Sequence, residues 1–147
     1  METKRNSDYT ISCYDISGRC VSFRDMRGSD LEYFDIVFTE DDGETISGQK
    51  VIEILSYLCT KKSLDFSLFL PRSIKSLYIE VKEHILCNYM PKETWLRQCY
   101  SIQNGSFHNL LNMELVPLSK FVALCSIHKE AMDQIENPIN NNAGTTP

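Results

Sequence analysis

The sequence predicts a mainly α-helical (α+β) fold, in which an N-terminal β-hairpin packs on a bundle of five to six short helices. Near the N-terminus, apolar residues alternate with polar ones, which is the spacing of strands with one buried face. From about residue 29 onward, apolar residues recur at intervals of three and four, which is the spacing of amphipathic helices. A chain of 147 residues is long enough to form one domain with its own core.

We expect three parts along the chain: a flexible N-terminus at 1–8, a single globular domain at 9–136 and a polar tail at 137–147. Within the domain, the hairpin covers 9–26 and the helices cover 29–136. No internal repeat or domain linker is visible. The tail, NPINNNAGTTP, is predicted to be disordered unless a partner holds it.

The hairpin is predicted from the segment YTISCYDISGRCVSFRDM. Ile11 and Cys13 alternate with polar residues before SGR, and Val21 and Phe23 do so after it. Gly18 can supply the tight turn between the two strands, because it has no side chain to restrict φ.

Residues 30–39 have two interpretations. Ser29 and Glu32 have the spacing of a capping box, which predicts a helix that begins near Asp30. The alternative is a second hairpin that turns at Asp42-Gly43, because the β-branched residues of DIVFT favour strands. The cap favours the helix.

The remaining helices are marked by caps and prolines. Ser47 is the predicted N-cap of the next helix, whose last turn carries Lys61 and Lys62. The connector LDFSLFL holds five apolar residues in seven and must be buried. Pro71 and Pro91 each suit the start of a helix, and a break at Pro117 separates a short helix from the last one.

Composition bears on the class of protein. The net charge of -5 argues against a general affinity for nucleic acid. A basic cluster at Lys61, Lys62, Arg72 and Lys75 is interpreted as solvated charge near helix ends. We expect no secretory signal and no membrane span. The six cysteines, scattered among apolar residues, are interpreted as reduced and mostly buried.

Two His–Cys pairs raise the question of a metal. His84 with Cys87, and Cys125 with His128, each have the i,i+3 spacing that aims two side chains the same way on a helix. Together they could form a tetrahedral Cys2His2 zinc site. Structural zinc sites are usually held by loops and knuckles, so we interpret the four residues as packing and predict no metal and no cofactor.

No enzyme signature is present. The chain lacks the G-x-S-x-G, G-x-x-x-x-G-K and G-x-G-x-x-G motifs, and neighbouring Ser106 and His108 do not make a triad by themselves. The acidic run EDDGE at 40–44 lacks the alternating ligands of a calcium loop. We therefore predict a protein without catalytic residues.

An aromatic surplus points to protein contacts instead. Trp95, Arg97, Tyr100 and Phe107 lie close together in sequence, and aromatic and Arg side chains are frequent anchors of interfaces. Trp95 and Tyr100 are offset by about 140° on a helix, so they cannot both point into one core. We predict these four as partner-binding residues, with the Trp95 flank facing a partner subunit; the alternative is that the aromatic residues pack under the connectors.

The order of segments resembles the small baseplate-hub and tail-assembly proteins of contractile-tailed, T4-type bacteriophages. In that family a strand of the form V-x-(F/L)-R precedes a helix that opens on a polar cap and Asp-Leu. Here these positions are Val21, Phe23 and Arg24, followed by Ser29 and Asp30-Leu31. The resemblance covers residues 9–135 in layout and rests on short motifs.

The resemblance implies a non-enzymatic structural protein or assembly chaperone of a phage tail or baseplate. Its expected partners are other tail or baseplate proteins, with no nucleic acid, membrane or small molecule. Its expected location is the virion, after assembly in the host cytoplasm. A cytosolic adaptor or regulatory domain that binds a single protein partner is the alternative.

Overall fold

The computed structural model describes residues 2–40, 47–103, 105 and 110–136. In this part of the chain, a three-stranded antiparallel sheet is followed by six α-helices, so the predicted fold class is confirmed. The strands are β1 (Lys4–Arg5), β2 (Thr10–Tyr14) and β3 (Cys20–Arg24), in the order β1-β2-β3. The helices are α1 (Leu31–Glu40), α2 (Gly48–Leu58), α3 (Pro71–His84), α4 (Lys92–Ile102), α5 (Leu110–Glu114) and α6 (Leu118–Glu136).

Strands β2 and β3 form the predicted hairpin. Ile11 pairs with Phe23 and Cys13 pairs with Val21, and all four side chains are buried. Gly18 has a φ of 86° in the turn, a conformation that favours glycine. The buried face of the hairpin packs on α2 and α3, which places the core between the sheet and the helices.

The N-terminal segment differs from the prediction of a loose stretch at 1–8. Lys4 pairs with Ser12 and Arg5 pairs with Ile11, which adds β1 to the edge of the hairpin. The Arg5 guanidinium also donates to the carbonyl of His84 at 2.6 Å. Hydrogen bonds hold this exposed segment, so the pattern of apolar residues could not predict it. The tail predicted at 137–147 lies outside the described residues.

Asp15 holds the turn of the hairpin in shape. Its carboxylate accepts hydrogen bonds from the Ser17 hydroxyl at 2.6 Å and from the backbone N–H groups of Ser17 and Arg19, both at 2.9 Å. It also pairs with the Arg19 guanidinium at 3.0 Å. Burial by itself raises the pKa of Asp15, but these hydrogen bonds outweigh burial and lower it to about 2.

We expect the Asp15 contribution to stability to disappear as the pH falls from about 4 to about 2. The pKa in the folded chain lies below the ordinary value, so the contribution is present above that value and is lost as the pH approaches the folded-state pKa. Thermal unfolding of the wild type and Asp15→Asn should differ in Tm at about pH 5 and converge near about pH 2. A difference in Tm that is the same at both pH values would contradict this assignment.

Helix α1 confirms the helical interpretation of 30–39, but Ser29 is not its cap. A 3-10 turn over Gly28–Asp30 leads into α1, and Ser29 is exposed in that turn. The Asp30 carboxylate instead accepts from the backbone N–H of Arg27 at 2.8 Å. The alternative hairpin would turn at Asp42-Gly43, which lies outside the described residues. The residues of its first strand are helical, because they belong to α1.

Asp30 also ties the start of α1 to β3 and α2. Its carboxylate accepts from the Arg24 guanidinium at 2.7 and 3.0 Å and from the Tyr57 hydroxyl at 2.7 Å. Burial raises the pKa of Asp30, but the hydrogen bonds from Arg24 and Tyr57 outweigh burial and hold it below the ordinary value. A buried carboxylate with this many partners fixes three elements relative to one another.

The predicted N-cap of α2 is present, but α2 ends at Leu58, so Lys61 and Lys62 lie beyond its last turn. The Ser47 hydroxyl accepts from the Lys50 N–H at 3.3 Å, and the Lys62 ammonium donates to the carbonyls of Ser56 and Tyr57 at 3.2 and 2.8 Å. Lys62 is therefore held at the C-terminal end of α2, where a cation interacts favourably with the helix dipole.

Helix α6 begins against the end of the hairpin. The Leu118 N–H donates to the carbonyl of Met26 at 2.7 Å. The buried Asp25 carboxylate accepts from the backbone N–H of Ser119 at 3.2 Å and from its hydroxyl. Asp25 therefore caps α6 through Ser119, which lies 94 residues further along the chain.

Candidate protein-binding site

Trp95 lies in the core, so its prediction as a partner-binding residue is wrong. Its side chain has an exposed fraction of 0%, and its ring centroid is 5.6 Å from that of Phe121. A Cβ atom added at Gly28 would come within 2.3 Å of the indole ring. The absent side chain of Gly28 makes room for the indole, and a helical spacing cannot reveal such a tertiary fit.

Of the other predicted residues, Arg97 and Tyr100 do not form one site with Trp95. Arg97 is exposed and pairs with Glu93 at 2.6 Å, an i,i+4 ion pair in water. Tyr100 is 47% exposed. Phe107 lies outside the described residues. Trp95 and Tyr100 do occupy opposite flanks of α4, as their spacing requires, but the inward flank is that of Trp95.

The four residues considered for zinc do not converge. The His84 Nε2 atom lies 3.3 Å from a Glu80 carboxylate oxygen, and the His128 Nε2 atom lies 3.2 Å from the Ser101 hydroxyl. Within the described ranges, one group of three metal-binding side chains has ligand atoms within 4.8 Å of one another: Glu80, Glu83 and His84. That group contains only one of the four residues, so the Cys2His2 arrangement is not formed.

The cysteines are less uniformly buried than predicted. Three are buried, one is half-buried and two are exposed: Cys13, Cys59 and Cys99, then Cys125, then Cys20 and Cys87. Burial raises the pKa of Cys13 to about 12 and that of Cys99 to about 11. These two thiols are therefore protonated at neutral pH and are poor nucleophiles.

A serine–histidine pair that the sequence did not predict lies in a cleft of about 450 Å³ between α4 and α6. Ser101 and His128 are within hydrogen-bond distance there. In the described part of the chain, no carboxylate hydrogen-bonds to the His128 ring. A pair without an orienting group does not meet the geometry of a catalytic triad. Ser106 and His108, considered from the sequence, lie outside the described residues.

An apolar groove of about 440 Å³ lies between α2 and α3 and is closed at one end by the connector. Its walls are almost entirely apolar and are formed by Val51, Ile52, Phe66, Phe69, Ile74 and Tyr78. The connector was predicted to be buried, but Leu68 is 82% and Leu70 is 66% exposed. These two leucines belong to the same connector as Phe66 and Phe69 of the groove wall. We name this surface the α2–α3 groove.

One side of the α2–α3 groove is basic. Lys75 lines the groove and Arg72 lies one turn earlier on α3, and both side chains are exposed. Neither forms an ion pair with another described residue. An apolar floor with a basic edge suits a ligand that has an apolar face and an acidic flank.

The sequence held a signal for this groove that we interpreted differently. The high apolar content of LDFSLFL predicts burial, but a connector that is too apolar to bury completely also indicates an exposed apolar surface. The basic cluster was interpreted as solvated charge. Its members separate: Lys62 caps α2, Lys75 lines the groove, and Arg72 lies one turn before Lys75 on α3.

Comparisons with known proteins find no family model, no curated protein and no solved structure that matches this chain. None of the helices in the described ranges has both the length and the apolar character needed to cross a membrane.

Proposed function

We propose that this chain is a non-enzymatic structural or assembly protein that acts by binding another protein. The α2–α3 groove supports this proposal, because its walls are almost entirely apolar and the connector that lines it also carries the exposed Leu68 and Leu70. Contiguous exposed apolar surface is unfavourable in water, and in folded domains it is characteristic of interaction sites.

We further propose that the protein belongs to a phage tail or baseplate and binds other tail or baseplate proteins, in the virion or as an assembly chaperone. This part rests on the sequence resemblance, carried by Val21, Phe23 and Arg24 and by Ser29 with Asp30-Leu31. A second candidate is an adaptor or regulatory domain with a single protein partner. The same groove would serve it, so the identity of the partner distinguishes the two.

Site-specific photo-crosslinking in the cells that naturally make the chain tests both candidates. A photoreactive phenylalanine replaces Leu68, whose exposed side chain leaves the core intact, and the matched control replaces Ile36 on α1, which is 60% exposed. We expect Leu68 to capture tail or baseplate proteins that the Ile36 position does not capture.

Each outcome of this experiment decides something. Capture of one regulatory protein at Leu68 favours the adaptor. Equal capture at both positions, or none at Leu68, would show that the groove is not the binding surface. Mass spectrometry of the crosslinked peptides identifies the partner and its contact residue.

A further inference from the structure

We infer that a basic surface around Tyr9 binds an acidic segment of a partner protein, in which carboxylates flank an apolar or aromatic residue. The surface consists of two adjoining cavities of about 340 and 540 Å³, and Tyr9 lines both. The described residues that line them are all different from those that line the α2–α3 groove. The inference therefore concerns a second binding surface and does not depend on the groove. We name it the Tyr9 surface.

The Tyr9 surface is rich in cations. Five basic side chains line its two cavities: Arg24, Arg27 and Lys62 in the smaller one, and Arg5 and Lys120 in the larger one. The two cavities meet at Tyr9, and also where Asp25 in the wall of one binds Ser119 in the wall of the other. The five cations therefore belong to one continuous region of the surface.

Most of these cations are available to a partner. Four of the five have no carboxylate partner among the described residues, and all four are exposed: Arg5, Arg27, Lys62 and Lys120. Arg5 and Lys62 donate to backbone carbonyls, which are neutral and leave the positive charges uncompensated. Arg24 is the paired member, with Asp30 as its carboxylate.

The carboxylates of this region do not cancel its charge. Asp25 is buried and accepts from the backbone N–H of Met26 at 2.8 Å and from that of Ser119. Asp8 accepts from the backbone N–H and the hydroxyl of Thr10 at 3.2 and 2.6 Å. With Asp30, three carboxylates stand against five cations. The region is therefore positive, although the whole chain has a net charge of -5.

Tyr9 lies between the two groups of cations and is held in an unusual conformation. Its φ is 63°, in the left-handed region that bulky residues rarely adopt. The Tyr9 N–H donates to the carbonyl of Asn6 at 3.2 Å, and its own carbonyl accepts from the Asp25 N–H at 3.1 Å. The residue is nevertheless 39% exposed. A strained residue that is fixed by its surroundings and still reaches the solvent is typical of a binding surface.

The arrangement selects the kind of partner. Anionic groups can enter both cavities, and an apolar or aromatic group between them can contact the Tyr9 ring. An acidic peptide segment supplies both, since carboxylate side chains can flank an apolar one. A nucleic acid suits the surface less well, because a long polyanion would extend from this small basic region onto the acidic remainder of the chain.

Fluorescence anisotropy of a labelled peptide, Asp-Glu-Phe-Glu-Asp, with the purified full chain tests this inference. The comparison peptide, Asn-Gln-Phe-Gln-Asn, has nearly the same shape without the charges. The surface variant is Arg27→Glu with Lys120→Glu, which changes one cation in each cavity. The matched control is Arg72→Glu with Lys129→Glu, which makes the same change of charge at exposed positions that do not line either cavity.

We expect the wild type and the control variant to bind the acidic peptide with similar Kd values. The surface variant should raise the Kd by about tenfold or more, and so should the replacement of the acidic peptide by the amide peptide. Tyr9→Gly, which suits the φ of 63° but removes the ring, should weaken binding, whereas Tyr9→Phe should retain it. Circular dichroism verifies folding, and glutamine replaces glutamate at 27 and 120 if the surface variant loses structure.

An acidic peptide that binds no more tightly than the amide peptide would overturn the inference. An equal loss of binding in both double variants would do so as well, because the effect would then come from net charge and not from the Tyr9 surface. Tighter binding of a labelled oligothymidine, lost in the surface variant, would assign the surface to nucleic acid instead. The proposed function is tested separately, by the crosslinking at Leu68 in the groove.

Discussion

Trp95→Ala is expected to lower the free energy of unfolding by about 3–5 kcal/mol, the range for truncation of a fully buried large aromatic side chain. The indole is packed against Phe121 and over the space left by Gly28, and the Lys92 ammonium lies 4.4 Å from its ring centroid. Removing the ring leaves a cavity where α4, α6 and the turn before α1 meet. Trp95→Ala is therefore expected to reduce the stability of the fold and not to weaken a partner interface directly.

Urea denaturation followed by circular dichroism measures this loss. Trp95→Phe is the matched variant: it keeps an apolar ring and removes an indole N–H that has no hydrogen-bond acceptor in the described part of the chain. Trp95→Phe should lower the free energy of unfolding by less than Trp95→Ala does. Tyr100→Ala changes the exposed flank of the same helix. It should lower the free energy of unfolding by less than Trp95→Phe does. A Trp95→Ala midpoint equal to that of Tyr100→Ala would show that Trp95 is not a core residue.

Asp30→Ala is expected to lower the free energy of unfolding by about 3–5 kcal/mol, the range for removing one partner of a buried ion pair. The Asp30 side chain is 7% and the Arg24 side chain 23% exposed, so the guanidinium would be left in a poorly solvated place. The Tyr57 hydroxyl would also lose its acceptor. The start of α1 would lose its link to β3 and α2 together.

The control for this variant is Asp8→Ala, which removes an exposed carboxylate whose hydrogen bonds go only to Thr10. It should change the unfolding free energy much less than Asp30→Ala does. The double variant Arg24→Leu with Asp30→Leu should be more stable than Asp30→Ala, because no buried charge is left unpaired. Chemical denaturation at neutral pH measures all three, and an Asp30→Ala value close to that of Asp8→Ala would refute the network.

Local patterns predicted the elements well because the forces that form them are local. The alternation around Gly18 predicts the hairpin, and Ser47 predicts the start of α2, from a few neighbouring residues. The cap of α1 shows the limit of such rules. Ser29 has the right spacing, but Asp30 has partners on β3 and α2, and these were not visible from the local sequence.

The candidate site was less predictable than the fold. Spacing placed Trp95 and Tyr100 on opposite flanks of a helix, and the structure agrees. Which flank faces inward depends on Gly28 and Phe121, residues far away in the sequence. The α2–α3 groove likewise arises where two helices and a connector meet, and no single segment encodes it.

The contact between Asp25 and helix α6 makes the direction of synthesis matter for this protein. The hairpin leaves the ribosome before α6, because the groups that the Asp25 carboxylate binds are made 94 residues later. Closing so long a loop costs entropy before the contact repays it, and such distant contacts slow folding. Phe121, which covers one side of Trp95, arrives with the same helix. A nascent chain therefore carries an open core, exposed to chaperones and to neighbouring chains, until α6 has been synthesised.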